Sequence, residues 1–438
     1  MTDKALAILP EALRNRFSKI KLKDSRKVII ASSVTPYSVV ASSILCRTFL
    51  NTNTLFHVMF FDNMVSIDQL NQHIKTNPDA LIITIGLDII GTLSSKHKQV
   101  LSVGSRFHST LKDVHIAPLD FPVAAESLAL AAETGTVQHD EIALATVGSL
   151  LESPKHKMTE AMVDVCIKEG ILLSRKGFRI PGFNFLSMDE VFSGNIHPYL
   201  DSLSGAPEAC HRIYEEADIS FSKWSTPLSQ LSPDEARQLN AVLLLSLSSS
   251  AIPHVLGSDY EIPHEKESSP FRHISSISSI SRVIWSTHEM GLLLGVLIGD
   301  RARLMNTILE TYRKYCEETI TSVAEVNILL NEREGKATFH DTYISIDTSH
   351  LPDTTLADVG RITLQSAIAK EAKFLIMVSK ESATVTWKES ISLLSVLVEL
   401  LNQNIPFTST SPQSVRIDDT SDETLEKTKD VLKSLTTG

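Results

Sequence analysis

A loop that cradles phosphate places glycines ahead of a Lys-Ser or Lys-Thr pair. Gly335-Lys336 has neither the upstream glycine nor the hydroxyl that should follow the lysine. No GxGxxG run and no GxSxG elbow occurs, which removes the usual dinucleotide and α/β-hydrolase signatures. The fifteen histidines include no HExxH pair, so zinc hydrolysis lacks its helix-borne ligands. His57 stands alone in the apolar run LFHVMFF (55–61) and reads as a half-buried strand residue. The four cysteines, Cys46, Cys166, Cys210 and Cys316, are far apart and form no CxxC pair. They read as reduced core thiols. Gly291, Gly295 and Gly299 share the GxxxG spacing of membrane helix dimers, but the apolar stretch is too short to span a bilayer. Close packing inside a core is the better reading. Arg301, Arg303, Arg313 and Lys314 fall in a predicted long helix and could line a groove for single-stranded nucleic acid. Glu310, Glu317 and Glu318 share that helix, which favours a plain solvated face.

Such residues act only where the fold places them. Short apolar runs occur at 27–32, 55–61, 80–85, 99–103 and 113–117, separated by helical patterns at 36–50, 65–76 and 92–98. Continuous apolar strands alternating with helices predict an α/β domain with a parallel sheet covered on both faces, over residues 1–155. From 156 to 322 helical periodicity takes over, with helices at 159–170, 204–217 and 234–247. Ser232-Pro233 offers a cap and a first-turn proline for the last of these. Within this helical connecting region, 257–282 is polar and carries the Ile-Ser-Ser repeat, which reads as a long surface loop that could end in helix, with phosphorylation of its serines the lesser reading. A long helix is expected over 300–322. Strands at 324–330, 342–347, 373–379 and 383–387, with helices near 357–370 and 390–402, predict a smaller C-terminal α/β domain over 323–417. The acidic tail, 418–438, reads as one exposed helix.

Composition sets the outer bounds. The 438 residues carry 41 basic and 52 acidic side chains, a formal charge of −11. That argues against a protein coating nucleic acid through a broad basic surface. Charges throughout the first 24 residues, and apolar runs well short of about 20 residues, read as a soluble, cytoplasmic chain.

The order of elements resembles a known family. VIIASSVTPYSVVASSILCRTFL (28–50) is similar to the strand, turn and helix that open the DHH phosphoesterase superfamily, specifically RecJ and its archaeal relatives associated with GINS. IALATVGSLLES (142–153) resembles the family's A-x-x-G-x-x-x-D segment. KWSTPLSQLSPDEARQLNAVLL (223–244) resembles the connecting helix of the archaeal subgroup, and LLGVLIGDRARLMNTILETYRKY (293–315) the entry to its long helix. The matches follow one another in register along nearly the whole chain. The resemblance implies an N-terminal DHH-like domain, a helical connecting region and a DHHA1-like C-terminal domain.

It also implies a nuclease built on two metal ions, usually manganese, held by carboxylates and histidines. Counting back from the shared helix, the three ligand places of the first motif fall on Ser33, Thr35 and Tyr37. The second motif falls near Ile85 or Gly86, with Asp88 a little beyond. The Asp-His-His place holds Gly104, Ser105 and Arg106, with His108 out of register, and the fourth site holds Glu152. Two dications there would lack neutralising charge. The family's glycine-rich GGGH segment corresponds to NQNIPFTS (402–409), without glycine or histidine. Thr35-Pro36 makes an ordinary helix start, with Thr35 as cap.

The expectation is therefore a protein without catalytic residues, metal or cofactor. The superfamily contains such members: the eukaryotic cell-division-cycle subunit that joins MCM and GINS in the CMG replicative helicase, and its archaeal counterparts. By that resemblance the chain is an inactive RecJ-like scaffold of DNA replication, partnered by GINS and through it MCM. A second reading is a module that binds single-stranded DNA without hydrolysis. A third is a phosphoesterase with relocated ligands drawn from Asp88, His108, Asp120, Glu152 and a residue of the second domain.

Overall fold

In a computed structural model, the described residues are 7–17, 22, 27–90, 100–104, 109–111, 114–116, 120–134, 137–332, 337–366, 369 and 371–437. The chain forms two compact units, each drawn from three stretches: 1–175, 259–281 and 289–308 in the first, and 176–258, 282–288 and 309–438 in the second. Neither unit coincides with any one of the segments 1–155, 156–322, 323–417 and 418–438.

The first unit begins with helix α1 (Glu11–Phe17), followed by β1 (Lys27–Ser33), α2 (Pro36–Asn51) and β2 (Leu55–Phe61). Next come β3 (Met64–Ser66), α3 (Ile67–Thr76), β4 (Leu81–Ile85), β5 (Asp88–Ile90) and β6 (Val100–Val103). A fully parallel sheet runs in the order β2-β1-β4-β6. Val28, Ile29, Ile30 and Ala31 of β1 are buried on both faces, as its unbroken apolar run requires. β2 pairs on one side only, and its His57 is exposed, not half-buried as expected from its apolar neighbours. Of the run at 113–117, residues Val114–Ile116 form β8 in a two-stranded antiparallel pair with β7 (Ser109–Leu111), outside the parallel sheet. The helix expected at 92–98 lies outside the described residues.

Helix α2 is buried nearly all round, against α4 (Val123–Ala132) and α5 (His139–Glu152). Its hydroxyls tolerate this by bonding back into their own helix: Ser42 donates to the Ser38 carbonyl at 2.8 Å and Thr48 to that of Ile44 at 2.9 Å. The unit continues with α6 (Lys157–Lys168).

Strand β9 (Leu173–Phe178) leads to α7 (Met188–Phe192), α8 (Pro207–Glu216) and α9 (Pro233–Ser246). The Ser232 cap of α9 is real: Ser232 and Glu235 form a reciprocal capping box. The stretch expected as a loop is one over 262–273 only, between β10 (Leu256–Glu261) and α10 (Ile274–Ser286), the helix in which it ends. Ile274, Ile277, Ile280 and Ile284 are buried there, a spacing of three and four that only a helix turns to one side. Ser276, Ser279 and Ser281 are buried as well, which removes them as modification sites.

In α11 (Met290–Ile298), Gly295 alone of the three glycines is tightly packed: a Cβ would come 2.3 Å from Leu304 Cδ1, while Gly291 and Gly299 face nothing within 4 Å. Helix α12 (Arg303–Glu332) runs ten residues past its expected end at 322. It absorbs the apolar stretch read as a strand at 324–330, because Val323, Val326 and Leu330 are buried at helical spacing.

The second unit's sheet contains β11 (Ala337–Phe339), β12 (Tyr343–Asp347), β13 (Phe374–Val378), β14 (Ala383–Trp387), β15 (Thr408–Ser411) and β16 (Ser414–Ile417). Its order is β11-β12-β13-β14-β16-β15, antiparallel except at β12–β13. The polar β15 and β16 carry no apolar run to betray them. Helices α13 (Leu356–Gln365), α14 (Leu393–Asn402) and α15 (Asp422–Thr437) complete the unit. The tail helix α15 is not free in solvent: it packs on α14 and buries Thr428, Val431 and Leu432.

All four cysteines are buried and free. Among the described residues no helix is long and apolar enough to cross a membrane.

Candidate functional site

In an open parallel sheet, ligands gather at the carboxyl ends of the strands. Here β1 ends on Ser33, β4 leads to Gly86 and β6 to Gly104. Ser33 and Thr35 are buried, and their hydroxyls are committed to one another and to neighbours. Ser33 Oγ donates to Asn63 Oδ1 at 2.6 Å and accepts the Thr35 N–H at 3.2 Å. Thr35 Oγ1 donates to Ser38 Oγ at 2.8 Å, and Ser42 Oγ lies 2.9 Å from Ser32 Oγ. Thr35 occupies the cap position of α2, but its side chain takes no N–H of that helix. The expected cap is a link in this hydroxyl chain instead. Gly86 closes over it with φ +60°, and a Cβ there would come 2.1 Å from Ser38 Oγ.

A carboxylate cluster stands beside the hydroxyls. Glu152, the last residue of α5, accepts the Val123 N–H at 2.8 Å. Burial pushes its carboxyl up to about 8, with the charges of Glu126 and Asp120 adding to the rise against the Val123 hydrogen bond. Tyr37 is pushed up to about 12, by burial first and then by the nearby Glu152 and Asp88 charges. Glu126 is fully buried on α4 and accepts the Gly104 N–H at 2.7 Å. Its other oxygen lies 2.6 Å from Nη1 of Arg16, delivered by α1 and itself only 4% exposed. The distance is that of an ion pair, yet neither atom completes a well-angled hydrogen bond. Burial still holds the Glu126 carboxyl above its ordinary range, against Arg16 and the Gly104 N–H. Gly104 has φ +67°, and a Cβ would come 2.2 Å from Val123 Cγ2.

The sequence reading missed Arg16, Glu126 and Asn63. A signal for Glu126 was present: it is the lone charge in the otherwise apolar helix VAAESLALAA. Ser105, Arg106 and His108 lie outside the described residues, and Asp120 is exposed at the edge of the cluster.

Two divalent ions need several ionised carboxylates or neutral imidazoles around them. The described residues do not fit that requirement. The first-motif places at Ser33 and Thr35 are hydroxyls already bonded to protein, Glu152 is buried with its carboxyl pushed up to about 8, and Glu126 faces a fixed guanidinium. Among the described residues no three His, Cys, Asp or Glu side chains are grouped to hold a metal ion. Millimolar Mn2+ is therefore expected to leave the melting temperature unchanged and labelled single-stranded DNA and RNA intact, also after Thr35→Asp with Tyr37→Asp. A rise of several degrees, or metal-dependent degradation lost in Glu152→Gln, would contradict this.

The proposed nucleic-acid residues lie in different units, Arg301 and Arg303 in the first and Arg313 and Lys314 in the second. Arg301 pairs with Glu265 at 2.6 Å, Arg313 with Glu190 at 2.9 Å and Lys314 with Glu318 at 3.7 Å, while Arg303 is exposed. The 402–409 stretch runs from the end of α14 into β15.

A parallel first sheet, a helical middle and a mixed C-terminal sheet make up a fold like that of several solved structures. The structure of CDC45 from Entamoeba histolytica superposes with a TM-score of 0.61 at 14% identity, covering 98% of this chain and 97% of that one. RecJ from Thermus thermophilus, in complex with Mn2+, gives 0.51 at 12% identity, covering 99% of this chain but 56% of its own. The exonuclease RecJ bound to manganese gives 0.50 at 12% identity, with 98% and 96% covered. No protein-family model matches the chain, and no curated protein matches its sequence.

Proposed function

We propose that the chain is a catalytically inactive scaffold of a DNA replication helicase, a CDC45-like subunit that binds GINS and through it MCM. One observation carries the reading: in a fold it shares with manganese-bound RecJ, the strand-end corner is filled by mutually bonded hydroxyls and a buried Arg16–Glu126 pair. That arrangement stabilises a fold and offers no ionised ligand set. The formal charge of −11 suits a protein that recruits partners more than one that grips DNA. The near-complete mutual coverage with CDC45 supports the same reading.

Calorimetric titration against GINS from the same organism tests it. A stable complex is expected, with submicromolar affinity on the order of 8 kcal/mol or more and little weakened by salt. No heat and no co-elution at micromolar concentrations would remove the scaffold reading. Single-strand binding would then be pursued through Arg303, which has no ion-pair partner among the described residues.

A further inference from the structure

Helix α8 carries a charge pattern that its own stability does not explain. Glu215 and Glu216 occupy its last turn, where the helix dipole disfavours negative charge, and no basic residue stands there to offset them. Glu208, His211 and Glu215 follow one another at spacings of three and four, so they lie along one stripe. Asp218, in a left-handed turn (φ +55°) just past the helix end, donates its N–H to the Glu215 carbonyl and adds a further exposed carboxylate there. Asp201, Glu208, Glu215, Glu216 and Asp218 are all exposed and none has an ion-pair partner among the described residues, with Arg212 the single base interspersed.

An apolar anchor stands at the same place. Trp224 is nearly buried, with His211 stacked on it at 4.6 Å and Tyr214 edge-on at 5.5 Å. Phe221 meets the same indole at 4.9 Å, yet is itself 77% exposed. A rigid aromatic ring left in water beside a buried tryptophan is the kind of group that anchors an interface. The local charge decides what lands on it. Phosphate is repelled by the acidic stripe, so a nucleic-acid strand does not suit this aromatic platform, whereas a cation is drawn both to the carboxylates and to the ring face.

We propose that the α8 stripe and Phe221 form a docking surface for a Lys- or Arg-rich segment of a partner protein. Its cations pair with Glu208, Glu215 and Asp218, and one apolar side chain sits on Phe221. Residues 208 and 215 are about 10 Å apart along the helix, so cations about two helical turns apart in the partner meet both. This surface is independent of the degenerate strand-end corner and does not require the helicase reading.

The full chain is titrated with a labelled synthetic peptide that carries Lys, Arg and Leu at helical spacing, at two salt concentrations. A scrambled peptide, an acidic peptide and single-stranded DNA serve as comparisons. The wild type is expected to bind the basic peptide, with salt weakening it and tryptophan emission shifting as Phe221 is covered. Phe221→Ser alters no charge and removes an exposed ring, so folding is preserved. It is expected to weaken binding about tenfold, and Glu208→Lys with Glu215→Lys to abolish it and admit the acidic peptide. Equal binding to wild type and Phe221→Ser, equal binding of the scrambled peptide, or preference for DNA over the basic peptide would each overturn the proposal.

Discussion

Arg16→Ala is expected to cost the folded protein about 3–5 kcal/mol at pH 8, the effect of deserting a buried charge. Glu126 has no exposure to water and, among the described residues, has the Gly104 N–H and the Arg16 guanidinium to replace its hydration. Removing the guanidinium leaves a charge that must be either buried alone or neutralised by a proton. Burial already holds this carboxyl above its ordinary range, so the second route opens first as pH falls. The cost of Arg16→Ala should therefore shrink on acidification, as Glu126 takes up its proton. Replacing both partners, Arg16→Met with Glu126→Gln, keeps an acceptor for Gly104 and removes both charges. It should recover most of the loss. Denaturant unfolding of the wild type, Arg16→Met, Glu126→Gln and the double variant at pH 5 and pH 8 closes the cycle, with Arg16→Ala measured beside it. A single-variant cost under about 1 kcal/mol at pH 8, or a double variant no better than the single one, would show that the pair does not hold this corner.

How much of this was legible in the residues follows from what each feature depends on. The parallel first sheet and the strand at 374–378 were readable because buried strands repeat apolar residues without interruption, and those at 343–347 and 383–387 because apolar residues alternate there. The Ser232 capping box was readable because it is local chemistry. The Ile-Ser-Ser repeat misled because serine suggests a loop, yet its isoleucines recur every three residues and its hydroxyls are buried in a helix. The polar strands β15 and β16 derive from pairing with β14, which no local pattern announces. At the strand ends, hydroxyls at Ser33, Thr35 and Tyr37, where the resemblance puts metal ligands, could be read by register. The replacement could not be: Arg16 is 110 residues from Glu126 in sequence, and only the fold brings them to 2.6 Å.

Glu152→Gln is expected to stabilise the protein, and to do so most above pH 8. The folded carboxyl sits at about 8 against an ordinary 4.5, raised by burial and by its Glu126 and Asp120 neighbours. Between those values the folded state retains a proton that the unfolded chain has released. Stability from this group is thus fully present below pH 4.5 and is lost as pH rises through about 8. At about 1.36 kcal/mol per unit, the interval is worth roughly 4–5 kcal/mol; partial exposure of the side chain brings that to about 2–3 kcal/mol. Glutamine keeps an acceptor for the Val123 N–H and carries no charge to repel Glu126, so the pH dependence should flatten in the variant. By the resemblance to DHH nucleases this position would hold an acidic metal ligand, which must be ionised to bind. If Glu152 served that role here, Mn2+ would stabilise the wild type at neutral pH and fail to stabilise Glu152→Gln. The expected result is the reverse ranking, with the variant more stable than the wild type whether or not metal is present. A variant less stable than the wild type at pH 8, or a wild type that gains stability with Mn2+ while the variant does not, would return a ligand role to this carboxylate.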